Sequence, residues 1–349
     1  MLNKLAIILK MLKFMFFIPS GNTILLAELN PCHGELLYTW VKMLKECRKE
    51  VVLLINKEVY NELLPLDLLF ADVKIYPFFF RFWKFILSKH IICRYQKIIF
   101  NSEYIYPAES SICQILPCFK EKQKDILAVT HDMRHVFVAE AQKIGLWPHD
   151  VKNFTPIYFQ YFPPQVSEKK TDSIKQLVVI GGDNPSCRNM KILYHALQNI
   201  SPDILKKIKI TVIGFKIPEI PEHLKNFFIL PGRCSFQQLF KTLQVSDAIL
   251  MLLDPENQEH LRYCSGIVSG NINLSFGFHC PMVIEKVFAD YYGISEKNGF
   301  VYDGNDSLAQ ILTTLSEMSA DDYGKIRTSL AGEAEKKYVD GLDNLKKLL

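Results

Sequence analysis

QLVVIGGDNPSCRNMKIL, residues 176–193, decides the fold. Leu177–Ile180 follow one another without polar interruption and stop at Gly181-Gly182, as a strand buried on both faces does when it ends in a tight turn. Arg188 and Lys191 lie just beyond, three apart, and share one face if the helix has begun there. The pattern then repeats downstream. Lys209–Gly214, Phe227–Leu230, Ala248–Leu253, Pro281–Ile284 and Phe300–Tyr302 read as further strands. Ser235 caps a helix through Gln244, Ser265–Phe276 is a Ser/Gly-rich turn running into a helix, and another helix starts at Asp306 or Ser307.

Upstream the same alternation occurs once more. Thr23–Leu29, Val51–Asn56, Val73–Tyr76, Lys97–Asn101 and Ile126–Thr130 are strand-like, and Leu36, Leu37, Trp40, Val41 and Leu44 have helical spacing. Trp147-Pro148, Thr155-Pro156 and Phe162-Pro163-Pro164 lead into the polar run 167–173, the best domain boundary in the chain. The expected fold class is therefore α/β, with two Rossmann-like doubly wound domains, 1–165 and 174–320, and a helical tail, 321–349, that can pack back on the first. Ligands in such sheets bind outside the carboxyl ends of the strands, and two facing domains set those ends across a cleft.

At 349 residues, 49% hydrophobic and 22% charged, the chain has room for two cores. A net charge of +4 argues against a dedicated nucleic-acid partner. Residues 1–174 hold 22 Lys and Arg against 17 Asp and Glu, so the front half is the basic one. The nine cysteines make no CxxC pair or zinc-type spacing, and Cys47, Cys93, Cys187, Cys264 and Cys280 read as free buried thiols in a reducing cytosol. Residues 5–18 are apolar but interrupted by Lys10 and Lys13, and no acid precedes Glu28. With Lys4 they form a basic amphipathic helix that either lies on an anionic membrane surface or packs on the protein. YPFFFRFWKFIL, residues 76–87, sets aromatics beside Arg81 and Lys84. It is a second membrane-touching element or a core helix with snorkelling cations.

Four clusters stand where chemistry is expected. The turn Gly181-Gly182 lets the backbone approach a phosphate, with Arg188 and Lys191 to neutralise it. Ser265, Ser269, Gly270 and Asn271 offer hydroxyls and a helix N-terminus to an anion, within reach of Arg262. Glu28, His33, Gly34 and Glu35 follow the first strand, where Gly34 suggests close approach and His33 or Glu35 is a candidate acid or base on the acceptor side, Glu35 being otherwise a first-turn helix acid. His131 and Asp132 follow the fifth front-half strand, where a His can deprotonate an acceptor hydroxyl. No HExxH, DxD or GxSxG motif is present, so nothing in the sequence requires a metal or cofactor.

Residues 176–315 resemble the nucleotide-sugar-binding half of glycosyltransferase B enzymes, loosely families 1 and 4. The resemblance rests on VVIGGDNPSCRNMKIL (178–193), ITVIGF (210–215), SFQQLFKTLQVSDAILMLL (235–253), SGIVSGNINLSFGFHCPMVIEKVFA (265–289) and NGFVYDGNDSLAQIL (298–312). It implies that Arg188 and Lys191 meet the donor diphosphate and that Ser269, Gly270 and Asn271 meet its phosphates and ribose. Retaining family-4 enzymes carry two Glu eight positions apart, where this chain has Gly266 and Leu274. An inverting reaction would use His131, Glu35 or Asp132 as base. The implied function is transfer of a sugar from a nucleotide-sugar donor to a glycan or lipid-linked acceptor of cell-surface polysaccharide assembly, in the cytoplasm or peripheral on the inner membrane face. The alternatives are a sugar-nucleotide epimerase or hydrolase on this fold, and a catalytically silent binding partner of a true transferase.

Overall fold

The computed structural model describes residues 4–63, 70–102, 104–105, 110–111, 125–131, 142–147, 154–163 and 174–349. The chain divides into two compact units: Met1–Pro163 with Tyr338–Leu349, and Pro164–Lys337.

The first unit is built on a seven-stranded sheet. Its strands are β1 (Thr23–Glu28), β2 (Glu50–Asn56), β3 (Lys74–Phe78), β4 (Lys97–Phe100), β7 (Ile126–Thr130), β8 (Gln142–Gly145) and β9 (Phe154–Pro156), ordered β3-β2-β1-β4-β7-β8-β9. Between β4 and β7 a separate pair, β5 (Tyr104–Ile105) and β6 (Ser110–Ser111), is antiparallel. All pairings in the large sheet are parallel. Every residue of β1 is buried, which is why its middle, residues 24–27, reads as an unbroken apolar run rather than an alternating one. The strand order reverses at β1, between β2 and β4, so the carboxyl end of β1 opens at the switch point where ligands bind.

The second unit repeats this plan with six parallel strands: β10 (Lys175–Ile180), β11 (Ile208–Ile213), β12 (Phe228–Gly232), β13 (Ala248–Leu250), β14 (Met282–Glu285) and β15 (Phe300–Tyr302). Their order is β12-β11-β10-β13-β14-β15, with the switch point between β10 and β13. Ser235 caps the helix Phe236–Val245 through a capping box with Gln238. The core of this unit joins β10, β11 and β13 to the helices Met190–Gln198 and Leu308–Glu317 through Leu177, Val179, Leu193, Leu197, Ile210, Leu250 and Leu312.

Several expectations change. Residues 76–87 are not one helix: Tyr76–Phe78 finish β3, and two short helical pieces, Phe80–Phe82 and Trp83–Ile86, follow. Phe154–Pro156 belong to the sheet, and Ile157, Tyr158, Phe159 and Phe162 beyond them are buried, so this Pro-containing stretch is core rather than linker. Of the five cysteines expected to be buried only Cys280 is; Cys93 is exposed, and Cys47, Cys187 and Cys264 are half-buried. The last helix, Ala320–Leu348, starts in the second unit, and from Tyr338 onward it is part of the first. There the Tyr338 hydroxyl donates to Glu46 at 2.9 Å, the Asn344 amide donates to the Pro156 carbonyl at 3.1 Å, and Leu345 is fully buried.

Candidate functional site

In the first unit the carboxyl ends of β1, β4 and β7 bring Glu28, Asn101, Ser102 and His131 together. Glu28 is fully buried. Its carboxylate accepts from the Asn30 backbone N–H (2.7 Å), the Asn101 amide (2.6 Å) and the Ser102 hydroxyl (2.9 Å). Since Ser102 donates to Glu28, its oxygen accepts from His131 Nε2, 3.4 Å away. The Asn101 carbonyl, 3.3 Å from the same nitrogen, is also an acceptor. Both contacts put the proton on Nε2 and leave Nδ1 of His131 as the basic nitrogen.

His33 stacks on His131, with ring centroids 4.0 Å apart. Two stacked imidazoles resist carrying two charges, and the surroundings divide them. Burial opposes the charged form of His33, but hydrogen bonds and charge from Cys32 and Glu35 override it, and its pKa lies well above 6.5. The Glu35 carboxylate is 3.7 Å from His33 Nδ1. Burial, and then the charge on His33, hold His131 well below 6.5. The surroundings thus favour the charge on His33 and the neutral form of His131.

Burial raises the Glu28 carboxyl from 4.5 to about 7 against the pull of His33 and its hydrogen-bond donors. The folded state therefore binds this proton more tightly than the unfolded state. Its contribution to stability is full below 4.5 and is lost as pH rises to about 7, a change of about 3 kcal/mol. Denaturant titrations of the wild type and Glu28→Gln at pH 5 and pH 8 test this: the stability difference between them should shift by about 2.5 kcal/mol, favouring the wild type at pH 5. No shift would mean that the carboxyl titrates normally.

These positions revise the acceptor-side expectations. Glu28 has no surface to offer an acceptor and spends its lone pairs on three internal donors. Close approach is expected at Gly34; the left-handed residue of this turn is His33, whose φ is 64°. Glu35 occupies the N-cap position of the helix Leu36–Glu46 without a side-chain cap, and pairs with His33 instead. Asp132 lies outside the described residues. Asn101 and Ser102 escaped the sequence reading; their position at a strand's carboxyl end was the available signal.

In the second unit β10 ends in Gly181 (φ 109°) and Gly182 (φ 67°). A Cβ on Gly181 would sit 2.3 Å from Arg188 Nη1, and one on Gly182 would sit 2.4 Å from the Lys216 carbonyl oxygen. Glycine is required here because a guanidinium lies on one residue and a neighbouring loop on the other. Arg188 is 9% exposed, its Nε has no partner among the described residues, and desolvation lowers its pKa. Arg262 donates to the Ser186 carbonyl (2.9 Å) and lies near Cys187 Sγ (3.3 Å) and the Tyr263 hydroxyl (3.5 Å). Neither arginine makes an ion pair among the described residues. The loop is latched by His260, which accepts from the Asp254 N–H at Nδ1 (2.9 Å) and therefore donates from Nε2 to the Pro185 carbonyl (2.9 Å).

Arg188 and Lys191 do not share a helix face. Asn189 caps the helix Met190–Gln198, so Arg188 precedes it and turns inward while Lys191 is exposed. Ser265 is not a free donor either: its hydroxyl bonds back to the Leu261 and Arg262 carbonyls at 3.4 and 3.3 Å. The helix Gly270–Phe278 begins after Ser269, which makes no side-chain cap, and the space beside Gly270 is open. Buried Asn271 keeps Nδ2 unpartnered, and buried Asn273, not singled out from sequence, keeps both amide atoms unpartnered among the described residues. A buried guanidinium, a glycine turn and an uncapped helix start are groups that bind an anion.

Two doubly wound sheets with these clusters at their carboxyl ends define the glycosyltransferase B fold, and solved structures of that class match the chain over nearly its whole length. Anabaena HepE, crystallised with UDP-glucose, is 14% identical with a TM-score of 0.57, covering 93% of this chain and 99% of its own. A glycosyltransferase from Rickettsia africae is 12% identical with a TM-score of 0.60, covering 94% and 97%. WaaG, a glycosyltransferase involved in lipopolysaccharide biosynthesis, is 8% identical with a TM-score of 0.52, covering 93% and 98%. At these identities the likeness is one of fold. The sequence matches no protein-family model and no curated protein.

Proposed function

We propose that this protein transfers a sugar from a nucleoside-diphosphate sugar to a glycan or lipid-linked acceptor of cell-surface polysaccharide assembly, at the cytoplasmic face of a membrane. The observation that carries the reading is Arg188, a buried cation with no carboxylate partner among the described residues, lying on the glycine turn at the switch point of its sheet. Such a charge is costly until an anion reaches it. Arg188 and Arg262, with the helix start at Gly270 and exposed Lys191 nearby in the fold, then stabilise the negative charge that grows on the leaving diphosphate. No metal is needed for that step in this reading.

The first unit supplies the base. The acceptor hydroxyl oxygen attacks the anomeric carbon, the bond from that carbon to the diphosphate oxygen breaks, and the hydroxyl proton passes to Nδ1 of His131. Glu28 and Ser102 hold the imidazole in the tautomer that leaves Nδ1 free. HepE binds UDP-glucose, which makes uridine sugars the first donors to try. Thermal shift against UDP-, GDP-, CMP- and dTDP-sugars tests the reading. A rise in melting temperature with one class is expected. Folded protein that responds to none would sink it in favour of a silent binding partner.

A further inference from the structure

The helix Lys4–Phe16 is apolar on two sides. Ile7, Met11 and Phe14 are buried in the first unit's core with Leu25, Val52 and Phe78. The opposite side shows Leu5, Ile8, Leu9, Leu12 and Phe16, exposed at 64, 41, 51, 45 and 78%. At 100° per residue these five cover about 100° of the circumference. Exposed Lys4 and Lys13 border that stripe, each about 40° further round on either side. A helix that needed one apolar face to hold it on the sheet has been given a second.

A second segment of the same unit also pairs exposed apolar surface with cations. Trp83, Ile86 and Leu87 pack in the core cluster that contains Ile7, Met11 and Phe14, while Phe85 beside them is exposed. Arg81 lies over the Phe82 ring at 4.7 Å and Lys84 over the Trp83 ring at 5.4 Å. No acid occurs before Glu28. Among the described residues no helix is long and apolar enough to cross a membrane.

We infer that Lys4–Phe16 is a docking element that lies in the plane of an anionic bilayer, its outer stripe among the acyl chains and Lys4 and Lys13 at the headgroups. The distribution of charge selects this occupant. Lysines flanking an apolar stripe suit a lipid surface, whereas a second copy docked face to face would bring like charges together. The inner stripe keeps the helix on its sheet while the outer one enters the lipid. This inference sharpens the membrane-bound acceptor proposed above and does not depend on the transfer chemistry.

Co-sedimentation of the full chain with phosphatidylglycerol/phosphatidylcholine vesicles, and with phosphatidylcholine alone, decides it. The wild type should bind the anionic vesicles at least about tenfold more tightly, and the difference should shrink in high salt. Leu9→Glu should weaken binding about tenfold with an unchanged melting temperature, because Leu9 touches no core. Lys13→Glu, which leaves the apolar stripe whole, should lose about tenfold on anionic vesicles only. Wild type left in the supernatant, or variants that bind like it, would overturn the proposal. So would a wild-type dimer that Leu9→Glu makes monomeric without affecting vesicle binding, since a second copy would then cover the face. Nucleotide-sugar thermal shifts on the same samples report separately on the transferase reading.

Discussion

Replacing Arg188 by alanine should abolish the nucleotide-sugar-induced rise in melting temperature and leave the ligand-free protein about as stable as the wild type. The two halves of this result have one cause. Arg188 is buried and desolvated, and its pKa is lowered from the ordinary guanidinium value, so in the empty protein the charge is a burden. Its removal relieves that burden and offsets the packing lost with the side-chain stem, for a net change of about 1 kcal/mol or less. In the proposed donor complex the same guanidinium would donate charge-assisted hydrogen bonds to the diphosphate. Their loss should weaken donor binding about 100-fold, or about 2.7 kcal/mol. Arg188→Lys keeps a charge but not the planar fork, so it should recover only part of the affinity. Calorimetric titration beside thermal denaturation separates the effects. A variant that binds donor normally, or one that fails to fold, would show that Arg188 is a structural residue.

The parallel strands were legible because burial on both faces leaves no alternation to confuse the pattern: β1, β2, β7 and β10 each appear as an unbroken apolar run. β8 and β9 were not. QKIG and FTP contain a lysine, a threonine and a proline and are too short to show a period, and their strand state comes from pairing, β8 along β7 and β9 along β8. Buried Lys143 is tolerated there with its ammonium 5.6 Å from the Phe154 ring. The same limit applies to the site. His131 and Arg188 could be chosen because each follows a strand or turn that can be read locally. Whether Arg188 and Lys191 diverge depends on where the helix starts, and Asn189, whose side chain accepts from the Lys191 N–H, fixes that one residue after Arg188. Ser102 gains its role from the adjacency of β4 to both β1 and β7, a property of sheet order that no local spacing encodes.

His131→Ala should lower kcat by a factor of about 10² to 10⁴ while leaving donor affinity within about twofold, since the residue is proposed to act on the acceptor proton alone. The pH profile carries more information than the loss. A base works in its neutral form, and burial with the charge on His33 keeps His131 neutral well below pH 6.5. The acidic limb of kcat should therefore lie below the range of an ordinary imidazole. His33→Gln removes the cation stacked 4.0 Å away, so the pKa of His131 rises and the limb should move to higher pH. Ser102→Ala tests the orientation separately. It cuts the link from Nε2 to Glu28 and leaves the Asn101 carbonyl, 3.3 Å away, as the one remaining acceptor described for that nitrogen, so the ring is held less firmly and kcat should fall modestly with KM for the donor unchanged. A limb that stays in place in His33→Gln would assign the titration to another group. If His131→Ala kept wild-type kcat, the base would have to be sought elsewhere, and Glu35, whose side chain faces His33, would be the next residue to replace.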